Sequence, residues 1–441
     1  MERVLVDLLA CPLTGSRLVP WSAHDGDDIS YGILRSDAAE YPVVEGIPVM
    51  FPDVEDVVAL VRAGRHDDAL ARMVVRDIPR GGAGRILEAL TSIRSSRKVA
   101  SPLLQRDDHR REHDARRALG DPTPGALVRY EYLSSAGRSV DAYDYFAFRA
   151  TTPRYLVALS CVEAIPDGDD AVLDLGCGAG QIAWALRERV RPRVVIGLDA
   201  NFRMVLTASR DVSPSGTFVC GDATALPFVD GAFGAALFTD VLTFIDRRRT
   251  AIAELDRVLG PRGWCAMTSL QRAHTGCTYT HRPIPVDAWR RLAASFVHGA
   301  VSDDAVVARY RERQGLPGCR GFESLDGDDT SRVTLVLARE ERDLTDAGAF
   351  GDWPHGRGVL QVNPLYEETG TTPDGRTYRR RFPSDVFRID NAPLADYLPE
   401  QAVVSEAALQ AIADNRQTDE VRRLLESFVV LGAPTAPWVR P

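Results

Sequence analysis

The stretch 172–181, "VLDLGCGAGQ", sets an acid, Asp174, two residues ahead of three glycines at alternate positions, Gly176, Gly178 and Gly180. An apolar run leads into it and an amphipathic run leaves it, so it reads as strand, glycine turn, helix. Such a turn aims backbone N–H groups and a helix N-terminus at a ligand. The dinucleotide fingerprint G-x-G-x-x-G asks for its third glycine at position 181, where Gln181 stands. A carboxylate at 174 is poorly placed for a pyrophosphate and well placed for a cationic amino-acid moiety. The local electrostatics therefore favour S-adenosylmethionine over NAD. Two further acids fit a nucleoside. Asp199 ends the next apolar run, 23 residues after Gly176, where a carboxylate can take both ribose hydroxyls. Asp222, in "VCGDATALPF", ends the third, where side chain and backbone can read an adenine edge.

The elements that must position these residues follow from periodicity. Between 170 and 341, β-like runs alternate with helical runs: "AVLDLG", "QIAWALRER", "RVVIGLDA", "FRMVLTASRD", "GTFVCGDA", "GAALFTDV", "RTAIAELDRVLG", "GWCAMTSL" and, later, "RVTLVLARE". Strands separated by single helices mean βαβ units and a parallel sheet. The expected fold is α/β: a doubly wound, mostly parallel, Rossmann-like core of seven strands. Residues 1–55 mix short β-like runs with turns, and 56–140 read as a helical insert. In the insert, "RDDHRREHDARR" is read as a solvated helix and not as a metal face built on His109 and His113. Residues 141–341 form the core with an N-terminal lid. In 342–441, "GVLQVNPLYEE" and "TYRRRFPSDVF" are expected to pair as a hairpin, two helices follow, and "DAGAFGDWPHGRG" is read as the linker. This C-terminal α+β extension is a candidate acceptor-site cover or dimerisation element.

The pieces "DLGCGAG", "GLDAN", "GDATALPFVDGAFGAALFTDVL" and "ELDRVLGPRGW" occur in one order over about 100 residues and together resemble class I S-adenosylmethionine-dependent methyltransferases. The resemblance implies that Asp174 and the loop Gly176, Cys177, Gly178, Gly180 hold the methionine end. It implies that Asp199 and Ala200 take the ribose with Asn201 or Phe202 beside them, that Asp222 and Ala223 bind adenine, and that Thr239 and Asp240 face the methyl group or its acceptor. Cys177 reads as a small filler and not as a nucleophile.

The first fifty residues, through "LLACPLTGSRL" and "YPVVEGIPVMFPD", resemble the zinc-ribbon-like activator domain found with tRNA and release-factor methyltransferases. Cys11 lacks the second cysteine of that pattern, and Thr14 stands where a partner would be. A tetrahedral zinc needs four ligands, so the module is expected to carry no metal.

Methyl transfer from a sulfonium needs an acceptor held in line and a base only if the acceptor must lose a proton. Two segments can reach the strand ends where ligands lie. The aromatic-rich "DAYDYFAFRATTPRYL" (141–156) reads either as a lid, with Tyr145 over the cofactor, or as a helix docked by its aromatics. The segment "SLQRAHTGCTYTHRPIP" (269–285) holds His274 and His281, whose ordinary pKa of about 6.5 suits a base at neutral pH and which read equally as surface residues. The candidate catalytic residues are therefore His274, His281, Asp240 and Tyr145; no metal ligands are expected.

The net charge of -9 argues against nucleic acid as a partner. There is no run of 18 apolar residues and no basic, then apolar, leader. Seven cysteines without C-x-x-C spacing read as reduced thiols. The expectation is a cytoplasmic S-adenosylmethionine-dependent methyltransferase acting on a small-molecule acceptor in secondary metabolism, able to form homo-oligomers. RNA or protein methylation is the alternative, and a non-methylating binding or scaffold protein on the same fold is another.

Overall fold

The structure is a computed structural model of the 441-residue chain. It describes residues 1–435 apart from 2, 22–27, 77–85, 87–88, 90, 92–96, 135–139, 169, 190–193, 272–285, 320, 323–324 and 326–331.

The N-terminal strands β1 (Val19–Trp21), β2 (Gly32–Arg35), β3 (Glu40–Val44) and β4 (Ile47–Pro48) form an antiparallel sheet in sequence order. Cys11 is buried there, and its Sγ lies 3.2 Å from the Tyr41 hydroxyl. Burial raises its pKa, and hydrogen bonds from Ser36, Thr14 and Tyr41 overcome that and bring it down to about 7. Among the described residues no group of three His, Cys, Asp or Glu side chains is close enough to hold a metal ion. Helices follow at Glu55–Arg62, His66–Arg76, Arg97–Leu119 and Ala126–Ser134.

The core strands are β5 (Ala171–Leu175), β6 (Val195–Asp199), β7 (Thr217–Cys220), β8 (Phe233–Thr239), β9 (Leu259–Gln271), β10 (Val297–Ser302) and β11 (Arg332–Ala338). They order as β7-β6-β5-β8-β9-β11-β10. The pairs β6–β7, β5–β6, β5–β8 and β8–β9 are parallel; β9–β11 and β11–β10 are antiparallel. This is the doubly wound, mostly parallel sheet of seven strands that the alternating pattern predicts. Apart from Asp174 and Asp199, β5 and β6 are apolar and largely buried, as strands covered on both faces are. The register aligns Asp174 with Gly197 and Leu237, and Asp199 with Cys220, so the carboxyl ends of four strands open on one rim.

The lid segment folds as a helix, Val140–Ala147, then a short turn, then the helix Pro153–Ala164. Thr152 caps that helix, accepting from Tyr155 N–H, with Pro153 in the first turn where no donor is needed. β10, "VHGAVS", carries no strong alternation and is not legible in the sequence.

The C-terminal residues depart from the expected pairing. The hairpin is β13 (Tyr366–Thr372) with β14 (Gly375–Arg380), and β15 (Gln401–Val404) pairs with β14. β12 (Val359–Val362) pairs instead with β16 (Val430–Ala433). Asn363 and Pro364 break the run. Asn363 Nδ2 donates to the Phe428 carbonyl at 3.0 Å, its N–H donates to Val429, and its Oδ1 accepts from Leu365 N–H. The stretch read as a linker is instead half a core: Trp353 and His355 pack with Tyr310 and Phe428. No described helix is long and apolar enough to cross a membrane.

Candidate active site

The glycine turn takes the backbone that its residues permit. Gly176, Gly178 and Gly180 have φ of 75°, 51° and 81°, a region that side chains disfavour. A Cβ on Gly176 would meet Val241 at 2.4 Å, so this glycine lets the end of β8 approach. Gly176 and Cys177 N–H both donate to the Leu198 carbonyl. Asp199 secures the turn: its Oδ2 accepts from Gly178 N–H at 2.9 Å and its Oδ1 from Asn201 N–H at 2.8 Å.

A cavity of about 830 Å³ runs along the rim, within the roughly 300–1,000 Å³ of small-molecule sites. Of the residues expected to hold a cofactor, all but Gly180 and Asn201 border it. Gly180 faces away: a Cβ there would lie 2.6 Å from Ala208 Cβ and 3.3 Å from the Phe218 ring, so it is a packing position between helix and sheet. Asn201 caps the helix Phe202–Thr207, its Oδ1 accepting from Arg203 N–H at 3.1 Å. Asp222 accepts from Thr224 N–H at 2.7 Å through Oδ1 and turns Oδ2 toward Arg247, 3.7 Å away.

Asp174 is 1% exposed, and its Oδ2 has no hydrogen-bond partner among the described residues. Burial lifts its pKa to about 7; a backbone hydrogen bond from Ala183 pulls the other way, the charge of Asp199 adds to the rise and that of Arg149 opposes it. Arg149 is 4% exposed and borders the same cavity, and its Nη1 also lacks a partner among the described residues. Its guanidinium carbon stacks 4.8 Å from the Tyr145 ring centroid. Cys177 is buried, which pushes its thiol pKa far up and leaves it a poor nucleophile.

At the other end, Tyr145 OH donates to Asp240 Oδ2 at 3.3 Å, and Arg154 Nη1 donates to the same oxygen at 2.8 Å. Asp240 sits at φ 59°, which turns its carboxylate back toward these donors. Burial would raise its pKa, but the Arg154 and Arg149 charges win and hold it below the usual carboxylate range. Burial takes Tyr145 up to about 12, so its phenol stays neutral. Arg154 also pairs with Asp390, from the C-terminal helix Asp385–Asp390, and Asp390 pairs in turn with Arg332 on β11. Beneath, Asp303 accepts from Ser269 and Thr334 hydroxyls, and burial raises its pKa to about 6.

Phe51, Arg154 and Asp390 therefore border the cavity without having been singled out by spacing. Arg154 lies inside the quoted lid segment; Phe51 and Asp390 carry no local signal. His274 and His281 lie outside the described residues, as does Cys277.

Residues 173–267 match a family model described as a methyltransferase domain. A malonyl-[acyl-carrier protein] O-methyltransferase of Halorhodospira halophila is 30% identical over 267 residues, 56% of this chain and 82% of that protein. One from Marinomonas sp. is 31% identical over 179 residues, 40% of this chain and 62% of its own. The chain spans only 44–62% of four curated relatives, three of them quinone-pathway methyltransferases by name. A solved structure from Thermotoga maritima, titled an S-adenosylmethionine-dependent methyltransferase and possible histamine N-methyltransferase, is 20% identical with a TM-score of 0.34, covering 46% of this chain and 97% of its own. On the family model and on its cover of the Halorhodospira relative, the chain belongs to the S-adenosylmethionine-dependent methyltransferases.

Proposed function

We propose that the chain transfers a methyl group to a small-molecule acceptor held between the lid helix and the end of β8. The observation that carries the reading is the single cavity that joins the glycine turn to Tyr145, Asp240 and Asp390.

The residues fit the cofactor at its amino-acid end. A buried carboxylate oxygen on Asp174 and a buried guanidinium nitrogen on Arg149 both want partners, and a zwitterion supplies one of each sign. In this reading Asp174 takes the ammonium and Arg149 the carboxylate. Asp199 takes the ribose hydroxyls, and Asp222 with Ala223 receives adenine. Gly180 and Asn201 act through packing and capping. When bound, S-adenosylmethionine supplies an electrophilic methyl on a sulfonium.

Asp240 is unsuited to proton abstraction, because a carboxylate held below its usual pKa is a weak base. It orients instead: it fixes Tyr145 and Arg154, and Tyr145 presents a neutral hydroxyl to the acceptor. An acceptor that arrives ionised or as a neutral amine needs no more than this placement. The N-terminal module is read as a metal-free relative of the activator fold, and the C-terminal block as a cover that lends Asp390 to the acceptor end. Relatives named for quinones support a small-molecule acceptor, and those named for malonyl-[acyl-carrier protein] an acyl group carried on a protein; secondary metabolism is the setting we favour.

The test is incubation with S-adenosylmethionine and a panel of carboxylic acids, phenols and amines, read as a methyl mass increment with stoichiometric S-adenosylhomocysteine. Product in one class assigns the acceptor. Binding of S-adenosylhomocysteine without turnover on any acceptor, RNA and protein included, would replace this reading with a non-methylating one.

A further inference from the structure

The loop 221–227, which carries Asp222 and Ala223, is held at both ends by the N-terminal module. At its start, Met50 N–H donates to the Cys220 carbonyl at 2.8 Å, and Val49 forms a parallel bridge with Cys220. At its end, Ala10 N–H donates to the Pro227 carbonyl at 2.9 Å and Val229 N–H donates to the Leu8 carbonyl at 3.0 Å. β7 is the last strand of its sheet, and an edge strand left bare presents unpaired backbone groups. The module thus covers the carboxyl end of that edge and fixes the loop that follows it.

The chain that leaves the bridge at Val49 brings Phe51 to the cavity. Phe51 is only partly buried and borders the same cavity as Leu198, Gly221 and Asp222. Its ring is held from outside: the Arg76 guanidinium carbon lies 5.0 Å from the ring centroid, and Arg76 is itself tied to Asp53 at 2.7 Å. A ring that served only to pack the module would sit in its core with Tyr41, which is fully buried. Phe51 instead offers a fixed flat apolar surface where a nucleoside base is expected, and aromatic side chains hold bases by stacking whatever their hydrogen-bonding edge.

We propose that the N-terminal module is a working part of the cofactor site: Phe51 is a wall for the adenine ring, and the backbone clamp sets the loop that reads its edge. This rests on the assignment of Asp222 and Ala223 to adenine. The test is calorimetric titration of the full chain with S-adenosylhomocysteine, alongside thermal unfolding without ligand. Phe51→Ala is expected to bind ten- to thirty-fold more weakly at an unchanged unfolding midpoint, Phe51→Tyr within threefold of the parent, and Asp199→Ala not measurably. Should Phe51→Ala fail to fold, Phe51→Leu, which keeps apolar bulk and removes the flat face, is compared with Phe51→Tyr; equal affinities for the two overturn the proposal. Phe51→Ala binding within twofold of the parent, with Asp199→Ala still not binding, overturns the role of Phe51 and leaves the cofactor site standing. A parent chain that does not bind, or an Asp199→Ala that binds as well, overturns both.

Discussion

Arg149 Nη1 and Asp174 Oδ2 are both buried, border one cavity, and have no hydrogen-bond partner among the described residues. A buried polar atom without a hydrogen bond is costly, and a ligand that brings both signs would satisfy the two at once. Arg149→Ala should weaken S-adenosylhomocysteine binding by tenfold or more, and Arg149→Lys should recover part of the loss because the charge returns without the fork. Titration calorimetry decides; affinity unchanged in Arg149→Ala would remove Arg149 from the site.

The same pair makes binding depend on pH. Burial sets the Asp174 pKa at about 7, well above its ordinary 3.8. Because the folded acid holds its proton to higher pH than the unfolded one, its contribution to stability falls as pH rises from about 4 to about 7 and is constant beyond. A ligand ammonium needs the ionised form, so affinity should rise with pH up to about 7, by as much as tenfold per unit, and then level. Asp174→Asn should bind weakly and flatten the curve. A parent affinity that falls over this range would contradict the assignment.

One ion-pair chain, Asp240–Arg154–Asp390–Arg332, ties the C-terminal block to the core at the cavity, alongside the pairs Arg357–Glu163 and Arg313–Glu426 elsewhere. Arg154 and Asp390 side chains are only 12% and 8% exposed. Removing one partner of such a pair strands the other charge, at about 3 kcal/mol. Asp390→Ala should therefore lower the unfolding free energy by about that amount in a denaturant titration, and Asp390→Asn by less. A loss under about 0.5 kcal/mol in Asp390→Ala would mean that this ion-pair chain does not hold the block.

What was legible follows the range of the forces involved. Strand–helix alternation and the glycine turn are local, so the parallel strands and the acids Asp174, Asp199 and Asp222 at their ends could be read from order and spacing, whereas Thr239 and Asp240 came only with the family resemblance. Gly180 was counted with its neighbours because spacing does not say which glycine faces a ligand and which faces Ala208. Arg154, Phe51 and Asp390 reach the cavity only through tertiary contacts: Phe51 by a bridge between Val49 and Cys220, Asp390 by pairing 236 positions away in the chain from Arg154 (390 − 154). The expected C-terminal hairpin forms where Tyr366–Glu368 meet Tyr378–Arg380, but the run before Asn363 pairs elsewhere, since the Asn363 side chain satisfies the backbone of Phe428, 65 positions later.

The two glycines Gly178 and Gly180 should separate under the same substitution. Both have positive φ, so alanine costs each about 1 kcal/mol of backbone strain. At Gly178 the new methyl would lie 3.0 Å from Cε1 of Phe146, a ring edge on the lid helix that can give, and it would project into the cavity wall. Gly178→Ala should fold nearly as well as the parent and bind S-adenosylhomocysteine at least tenfold more weakly. At Gly180 the methyl would lie 2.6 Å from Ala208 Cβ and 3.2 Å from its Cα, so a helix must move. Gly180→Ala should lose about 2–4 kcal/mol of unfolding free energy, strain and overpacking together. Denaturant titrations and calorimetry on the two variants test the division: a Gly180→Ala chain of parental stability that no longer binds would make Gly180 a ligand contact after all, and a Gly178→Ala chain that binds like the parent would take the turn's second glycine out of the site.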